Sequence, residues 1–337
     1  MERRKFITGS AVLAVGLAGC AASDDDDEPT VVDDDNGNGD DATGADDDAG
    51  NGDEEEGEDV EVVIGELVSS DDLELVVESA ERVTELDEFT EADPGNEFVV
   101  VRLAYKNVSD DHISVSGLLQ TRLRDDEDYS YDQSLFGTGE SLNDGQVVPG
   151  EVERGDVVYE VPEDASGLEL EFDFDIGLFS GIDRVTVNLE SEDDVHQLEQ
   201  DLQVDVHDIG QTIEYSGIEI TVNDVEFETD LDDFTQAEEG HEYAIVDITV
   251  SNQSGEEQRV STALQMMAKD EDGFSYREDF GAAAALDQSY DESAELADGE
   301  DRRGKVAYEV EEGLSPLYWV FEFDLLDDGD KTFWQLR

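Results

Sequence analysis

The stretch Phe89–Ser109, FTEADPGNEFVVVRLAYKNVS, returns as Phe234–Ser254, FTQAEEGHEYAIVDITVSNQS, a shift of 145 residues from Phe89 to Phe234. In both, an acidic loop ends at a glycine (Gly95, Gly240), runs into β-branched and aromatic residues, and stops at Asn-x-Ser (Asn107, Asn252). Turn residues at both ends of such a run predict a strand. The repeat extends outward, from Ile64-Gly65 and Ile209-Gly210 to a hairpin phrase in which Arg124-Asp125-Asp126-Glu127-Asp128-Tyr129-Ser130-Tyr131 matches Lys269-Asp270-Glu271-Asp272-Gly273-Phe274-Ser275-Tyr276. Asp128 stands where the second copy has Gly273, so the two turns are expected to be built differently. Past the hairpin the shift becomes 149, and Gly150-Glu151-x-x-Arg154-Gly155 meets Gly299-Glu300-x-x-Arg303-Gly304. The extra length falls in the alanine-rich acidic loop Gly281–Asp298.

In Leu168-Glu169-Leu170-Glu171-Phe172-Asp173-Phe174-Asp175 apolar and acidic residues alternate without a miss, which predicts a strand with one face in a core and one in water. Its counterpart, Leu317-Tyr318-Trp319-Val320-Phe321-Glu322-Phe323-Asp324, keeps the inner face but is apolar on part of the outer one, a patch suited to touching the other copy. Strict alternation belongs to antiparallel sheets. About seven strands per copy are predicted, near 73–80, 97–106, 112–124, 129–134, 153–161, 168–175 and 184–189, and near 217–227, 242–251, 258–268, 274–278, 304–311, 317–325 and 331–336. The expected fold is all-β, two tandem antiparallel sandwiches. Asp193–Asp208 between them reads as a short helix or a polar connector.

The chain carries 95 acidic against 18 basic residues, a net charge of −77 spread along its whole length. Repulsion among exposed charges reaches about 10 Å at 0.1 M salt but only about 3 Å at 1 M, so this surface suits a salty solvent. Lysine occurs only at positions 5, 106, 269, 305 and 331. Phosphate backbones are bound by clustered cations; the adjacent basic residues outside the N-terminus are Arg302 and Arg303 alone, which argues against nucleic acid as a partner.

Met1–Cys20, MERRKFITGSAVLAVGLAGC, has a basic start, an apolar run over Ile7–Ala18 and small residues before the single cysteine. That is the layout of an export signal, and the run of about a dozen falls short of the ~20 residues a spanning helix needs. Arg3 and Arg4 ahead of Lys5-Phe6-Ile7 resemble a twin-arginine signal, and Leu17-Ala18-Gly19-Cys20 resembles a lipobox. These resemblances imply removal of residues 1–19, a lipid on Cys20 and membrane attachment through it. A redox or catalytic role for Cys20 is the weaker reading, because the chain offers no second cysteine; intrachain disulfides are excluded. Residues 20–59 then form an acidic tether with little to bury. Its flexible part, Ser23–Asp59, would reach roughly 35 Å by the square-root rule; weak divalent-cation collection by its aspartates is the alternative to a solvated linker. The domains are expected at 60–190 and 209–337, joined by 191–208.

The sequence order Ile-Gly, strand, Gly-x-Glu-aromatic, Asn-x-Ser, Asp-x-Asp-Gly-x-x-Tyr, Gly-Glu-x-x-x-Gly and Tyr-Glu-Val resembles a family of immunoglobulin-like domains of unknown function in secreted bacterial and archaeal lipoproteins, akin to a small secreted mycobacterial antigen. The resemblance covers Val60–Glu190 and Ile209–Arg337 and implies an immunoglobulin-like sandwich, with no catalytic residues to carry over.

Sites for chemistry are sparse. His112, His196, His207 and His241 are scattered and read as exposed polar residues; no metal spacing, nucleophile elbow or phosphate loop occurs, so no cofactor is expected. Asp270-Glu271-Asp272-Gly273 reads as a turn, since a calcium loop starting there would need glutamate where Gly281 stands. Asn107-Val108-Ser109 and Asn252-Gln253-Ser254 fit the glycosylation pattern, with a strand-ending turn as the alternative role. The expectation is an exported, lipid-anchored, non-catalytic binding or envelope module with an unidentified protein or envelope partner. The rival is a ligand-capturing lipoprotein serving a transporter or metal pathway, which requires a deep cleft between the copies lined by Trp319 and Tyr318. An enzyme site in the Gly281–Asp298 loop is a third reading.

Overall fold

The structure, a computed structural model, describes residues 58–87, 89–115, 121–143, 145–173, 181–323 and 331–337. Arg3, Arg4, Cys20 and the acidic run as far as residue 57 lie outside the described residues.

In the first copy the strands are β1 (Glu58–Ile64), β2 (Val68–Ser69), β3 (Leu73–Val83), β4 (Glu85–Asp87), β5 (Thr90–Glu91), β6 (Asn96–Asn107), β7 (Ile113–Val115), β8 (Thr121–Arg124), β9 (Ser130–Tyr131), β10 (Gly145–Val147), β11 (Val152–Pro162), β12 (Glu169–Asp173) and β13 (Ile182–Glu192). The second has β14 (Val206–Asp208), β15 (Thr212–Tyr215), β16 (Ile218–Glu228), β17 (His241–Asn252), α1 (Thr262–Gln265), β18 (Met266–Asp270), β19 (Ser275–Tyr276), α2 (Phe280–Ala285), β20 (Asp301–Glu311), β21 (Leu317–Glu322) and β22 (Lys331–Gln335). Each copy pairs a five-stranded sheet (β1-β13-β12-β8-β9; β14-β22-β21-β18-β19) with a four-stranded one (β2-β3-β6-β11; β15-β16-β17-β20). These are two tandem β-sandwiches, each closed on its own core.

The alternation in β12 does what its spacing predicts. Leu168, Leu170 and Phe172 are buried with Leu123, Val185 and Val187, while Glu169 and Glu171 face outward. In the second copy the same inner row is Leu317, Trp319 and Phe321, with the Trp319 indole donating to the Tyr308 hydroxyl at 2.9 Å, so a large apolar ring is buried without stranding its N–H. Even the irregularities repeat: the β3–β6 ladder bulges between Val77 and Ser79, and the β16–β17 ladder between Val222 and Asp224.

Three expectations change, and a fourth is decided between its alternatives. Glu58 and Asp59 belong to β1 rather than the tether, because Val60 and Val62 pair in parallel with Val185 and Val187 and carry the acids in with them. The stretch 258–268 is not one strand: the Gln265 and Glu292 carboxamide and carboxylate accept the N–H groups of Ser261 and Thr262, which closes the turn of α1 before β18 begins. Of the two readings of Asp193–Asp208 the polar connector holds and the short helix does not: no helix lies between β13 and β14. The two hairpin turns are built alike, since Asp128 at φ 61° and Gly273 at φ 96° both sit in the left-handed region, which aspartate tolerates at a modest cost.

The asparagine sequons fold inward. Asn107 and Asn252 are fully buried. Asn107 Nδ2 donates to the carbonyls of Asp111 and Val147, and Asn252 Nδ2 to those of Glu256 and Leu296, all at 2.7–2.8 Å. Their Oδ1 atoms accept from the backbone and hydroxyl of Ser109 and Ser254. The amide nitrogen that a glycan would use is the one that pins the strand-ending turn, so the folded domains offer no acceptor at either position. Of the histidines, His196 is exposed as expected, whereas His112, His207 and His241 are half-buried, His207 lying 5.9 Å from the Trp334 ring.

Candidate functional site

β11 and β20 are the matching edge strands of the four-stranded sheets. Each is entered through the same turn. Gly150 N–H donates to Asn107 O and Glu151 Oε2 accepts from Val148 N; Gly299 and Glu300 repeat this with Asn252 and Ala297. Gly150 has φ 81°, and a Cβ there would lie 1.8 Å from Asp201 O, so only glycine fits.

What differs is the use of the other glutamate oxygen. In the second copy Glu300 Oε1 meets Arg302 at the surface. In the first, Glu151 Oε1 lies 2.7 Å from Lys331 Nζ and 3.2 Å from Lys269 Nζ, and Glu153 Oε1 lies 2.8 Å from Lys269 and 3.2 Å from Lys331. Both lysines belong to the second copy, and none of these four side chains is more than 2% exposed. Lys331 also donates to Gln146 O at 2.8 Å, and Ser275 Oγ donates to Glu153 Oε2 at 3.1 Å. A buried ion network thus joins the sandwiches.

A third carboxyl completes it. Glu322 Oε1 lies 3.7 Å from Lys331, buried and without a hydrogen-bond partner among the described residues. Burial, with Glu151 and Glu153 nearby, pushes Glu322 up to about 7 despite the pull of Lys331. Burial also works against ionised Glu153 and Lys331, but there the opposite charges win: Glu153 is held below the ordinary carboxylate range and Lys331 above the ordinary amine.

Around this network Val148, Met267, Val320 and Phe333 form an apolar cluster with Leu202, Val204 and Tyr318 packed on it. Leu198, from the same connector, packs with Val76, Ala104 and Val152. On the other flank the second copy's hairpin abuts the edge of β11. Arg154 N–H donates to Gly273 O at 2.9 Å, its guanidinium reaches Asp272 O and lies 3.1 Å from Glu78, and Arg102 and Arg154 stand over the Phe274 ring at 5.2 and 5.7 Å. A Cβ on Gly273 would come within 2.8 Å of the Val152 carbonyl oxygen. That explains why the second hairpin has glycine and the first has Asp128, which has no domain docked on it.

Burial also separates the twin hairpins chemically. Asp125 and Asp270 accept the same bonds, from Tyr131 and Tyr129 N, and from Tyr276 and Phe274 N. The Tyr131 hydroxyl holds Asp125 low at the surface, while burial lifts Asp270 above the ordinary range.

A carboxyl titrating near 7 often marks chemistry. Here neither lysine, nor Glu151, Glu153 or Glu322, exposes more than 4% of its side chain, so a substrate has no approach and the network acts on structure. Trp319 is buried in its own sandwich and Tyr318 packs on Phe333, so neither lines the cleft that ligand capture required. The Gly281–Asp298 loop begins with α2, which seats Ala282 on Tyr243, Ile245 and Ala307. Among the described residues no group of His, Cys, Asp and Glu could hold a metal ion.

The linkage sign for Glu322 gives a test. Its carboxyl prefers the proton in the fold more than in the unfolded chain, so stability is full below the ordinary value of 4.5 and falls as pH rises toward about 7. Glu322→Gln is expected to match the parent below pH 4.5 and to be more stable above pH 7 by up to about 3 kcal/mol. Denaturant midpoints across that range check it, and parallel curves for parent and variant would reject it.

A single family model matches twice, over residues 62–183 and 207–331: Domain of unknown function (DUF4352). The chain belongs to this family. Each sandwich is one DUF4352 domain, and the joint lies between two of them. Three solved structures resemble one domain's worth of the chain. An uncharacterized β-sandwich protein from Clostridium difficile is 22% identical, covering 40% of this chain and 97% of that one, with a TM-score of 0.31. The yjhA protein from Bacillus subtilis is 19% identical, covering 39% and 99%, with a TM-score of 0.32. MPT63, a secreted protein from Mycobacterium tuberculosis, is 11% identical, covering 39% and 98%, with a TM-score of 0.30. No curated protein matches.

Proposed function

We propose that this chain is an exported, lipid-anchored module of the outer cell surface in a salt-adapted organism, and that its two DUF4352 sandwiches act as one non-catalytic presenting arm. The joint carries this reading. Two of the five lysines in the chain lie at its centre, shielded from water, where they fix the geometry of two domains and meet no substrate. The twin-arginine and lipobox resemblances at Arg3, Arg4 and Cys20 supply export and mooring, and the acidic run after Cys20 supplies distance from the membrane. A surface of net charge −77 favours strong ionic screening.

The anchor is tested by fractionation. Cys20→Ser is expected to move the protein from the membrane to the soluble fraction, and a variant still held on membranes would rule the lipid out. Turnover by the full chain in a broad hydrolase screen would overturn the non-catalytic part.

A further inference from the structure

The outer face of the four-stranded sheet carries the same cleft in both copies. In the first, β3, β6 and β11 make the floor, β4 one wall and Thr138–Glu140 the other, around about 430 Å³. Matching positions in the second enclose about 450 Å³. Glu81, Leu86 and Val100 of the first correspond, 145 residues on, to Glu226, Leu231 and Ile245.

The wall hairpin ends on the same phrase each time, Asp87-x-Phe89-Thr90 and Asp232-x-Phe234-Thr235. The aspartate Oδ1 accepts the phenylalanine N–H at 2.7 Å in both, which fixes the turn and leaves the ring at its tip, 87% exposed in Phe89 and 94% in Phe234. The segment forming the facing wall opens with Leu135 or Phe280, again 145 apart and both exposed. An aromatic tip presented twice from a surface dominated by carboxylates marks a contact site rather than a scattered exposed residue.

The cover on two other phenylalanines points to the partner's chemistry. Arg102 and Arg154 stand over Phe274, and Arg337 lies 3.7 Å over Phe227. Among the described residues no cation lies over Phe89 or Phe234. Within the clefts the cations Arg102 and Lys305 are already paired, with Asp156 and Glu226, while Glu81 and Glu85 in the first and Glu228 and Asp287 in the second have no ion pair among the described residues.

We infer that the two clefts dock an arginine-bearing, cationic segment of a partner protein, its guanidinium over the tip phenylalanine and its apolar stem along Leu86 or Leu231. Cation–π attraction and carboxylate pairing act together there. A second copy of this chain is a poor occupant, because its own net charge is −77. The inference rests on reading the chain as a binding module.

The test is a fluorescence-anisotropy titration of the full chain, at fixed salt, with a labelled peptide of alternating arginine and leucine. Two peptides per chain are expected, one in Phe89→Ala, and in the Phe89→Ala/Phe234→Ala pair an affinity at least about tenfold weaker. Neither substitution changes the net charge. An unaltered affinity in the double variant would reduce the binding to diffuse attraction and overturn the proposal. So would preferred binding, lost in the double variant, of a neutral oligosaccharide or of phospholipid vesicles. The two readings fail separately: a chain that binds the peptide but leaves the membrane only as Cys20 dictates keeps both, and one that binds but was never anchored loses the anchor alone.

Discussion

Lys331→Met should cost about 3–5 kcal/mol at neutral pH, the usual price of stripping one partner from a buried ion network. The methionine fills the space of the lysine stem, but among the described residues Glu151 and Glu153 then share Lys269 alone, and Glu322 loses the one cation within 4 Å of it. Chemical denaturation read by tryptophan fluorescence reports the loss, since Trp319 and Trp334 lie in the sandwich that carries Lys331. Adding Glu151→Gln to the methionine variant should recover most of the stability, because Glu153 and Lys269 then remain as a matched buried pair at 2.8 Å. A double variant as unstable as the single one would mean that packing, and not charge, sets the effect.

Gly273→Asp, which copies Asp128 into the second hairpin, should open the joint. The added Cβ meets main chain, the Val152 carbonyl, and not the yielding end of a side chain. Overlap of that kind, together with a side chain at φ 96°, amounts to about 3–5 kcal/mol. Small-angle scattering should show a longer particle, and calorimetry two separate transitions where the parent has one. The reverse exchange, Asp128→Gly, should leave both measurements unchanged, since nothing of the second copy rests on that turn. A compact Gly273→Asp variant with a single transition would contradict the geometry.

Much of this arrangement was written in the spacing of side chains. Leu168–Asp173 shows its core face by alternation alone, and the break of that alternation at Tyr318 and Val320 marks the face on which the first copy docks. The joint's centre was hidden for a physical reason. Glu151, Glu153 and Arg154 are polar letters with nothing local to mark them as interior, yet β11 is buried along nearly its whole length: the second copy's hairpin takes its open edge at Arg154, and residues 134–142 of its own sandwich take it at Asp156 and Val158. Parallel pairing of β1 with β13 was equally out of reach, since it joins residues more than a hundred positions apart and local periodicity carries no trace of it. The buried sequons show the same limit: Asn107-Val108-Ser109 has the letters of an acceptor, and only the contacts of its amide disclose the turn.

The joint unites unlike surfaces, so a strand edge on one domain meets a sheet face on the next, a relation that could in principle go on adding molecules end to end. The first copy's sheet halts that growth. Where Met267, Val320 and Phe333 line up across the second copy's sheet, the same rungs of the first hold Arg122, Glu171 and Thr186. Seating that row on a neighbour would strip water from an arginine and a glutamate with little grease gained in return. This way of joining therefore stops at the pair, because the first copy's outer row is made for water and not for another strand edge.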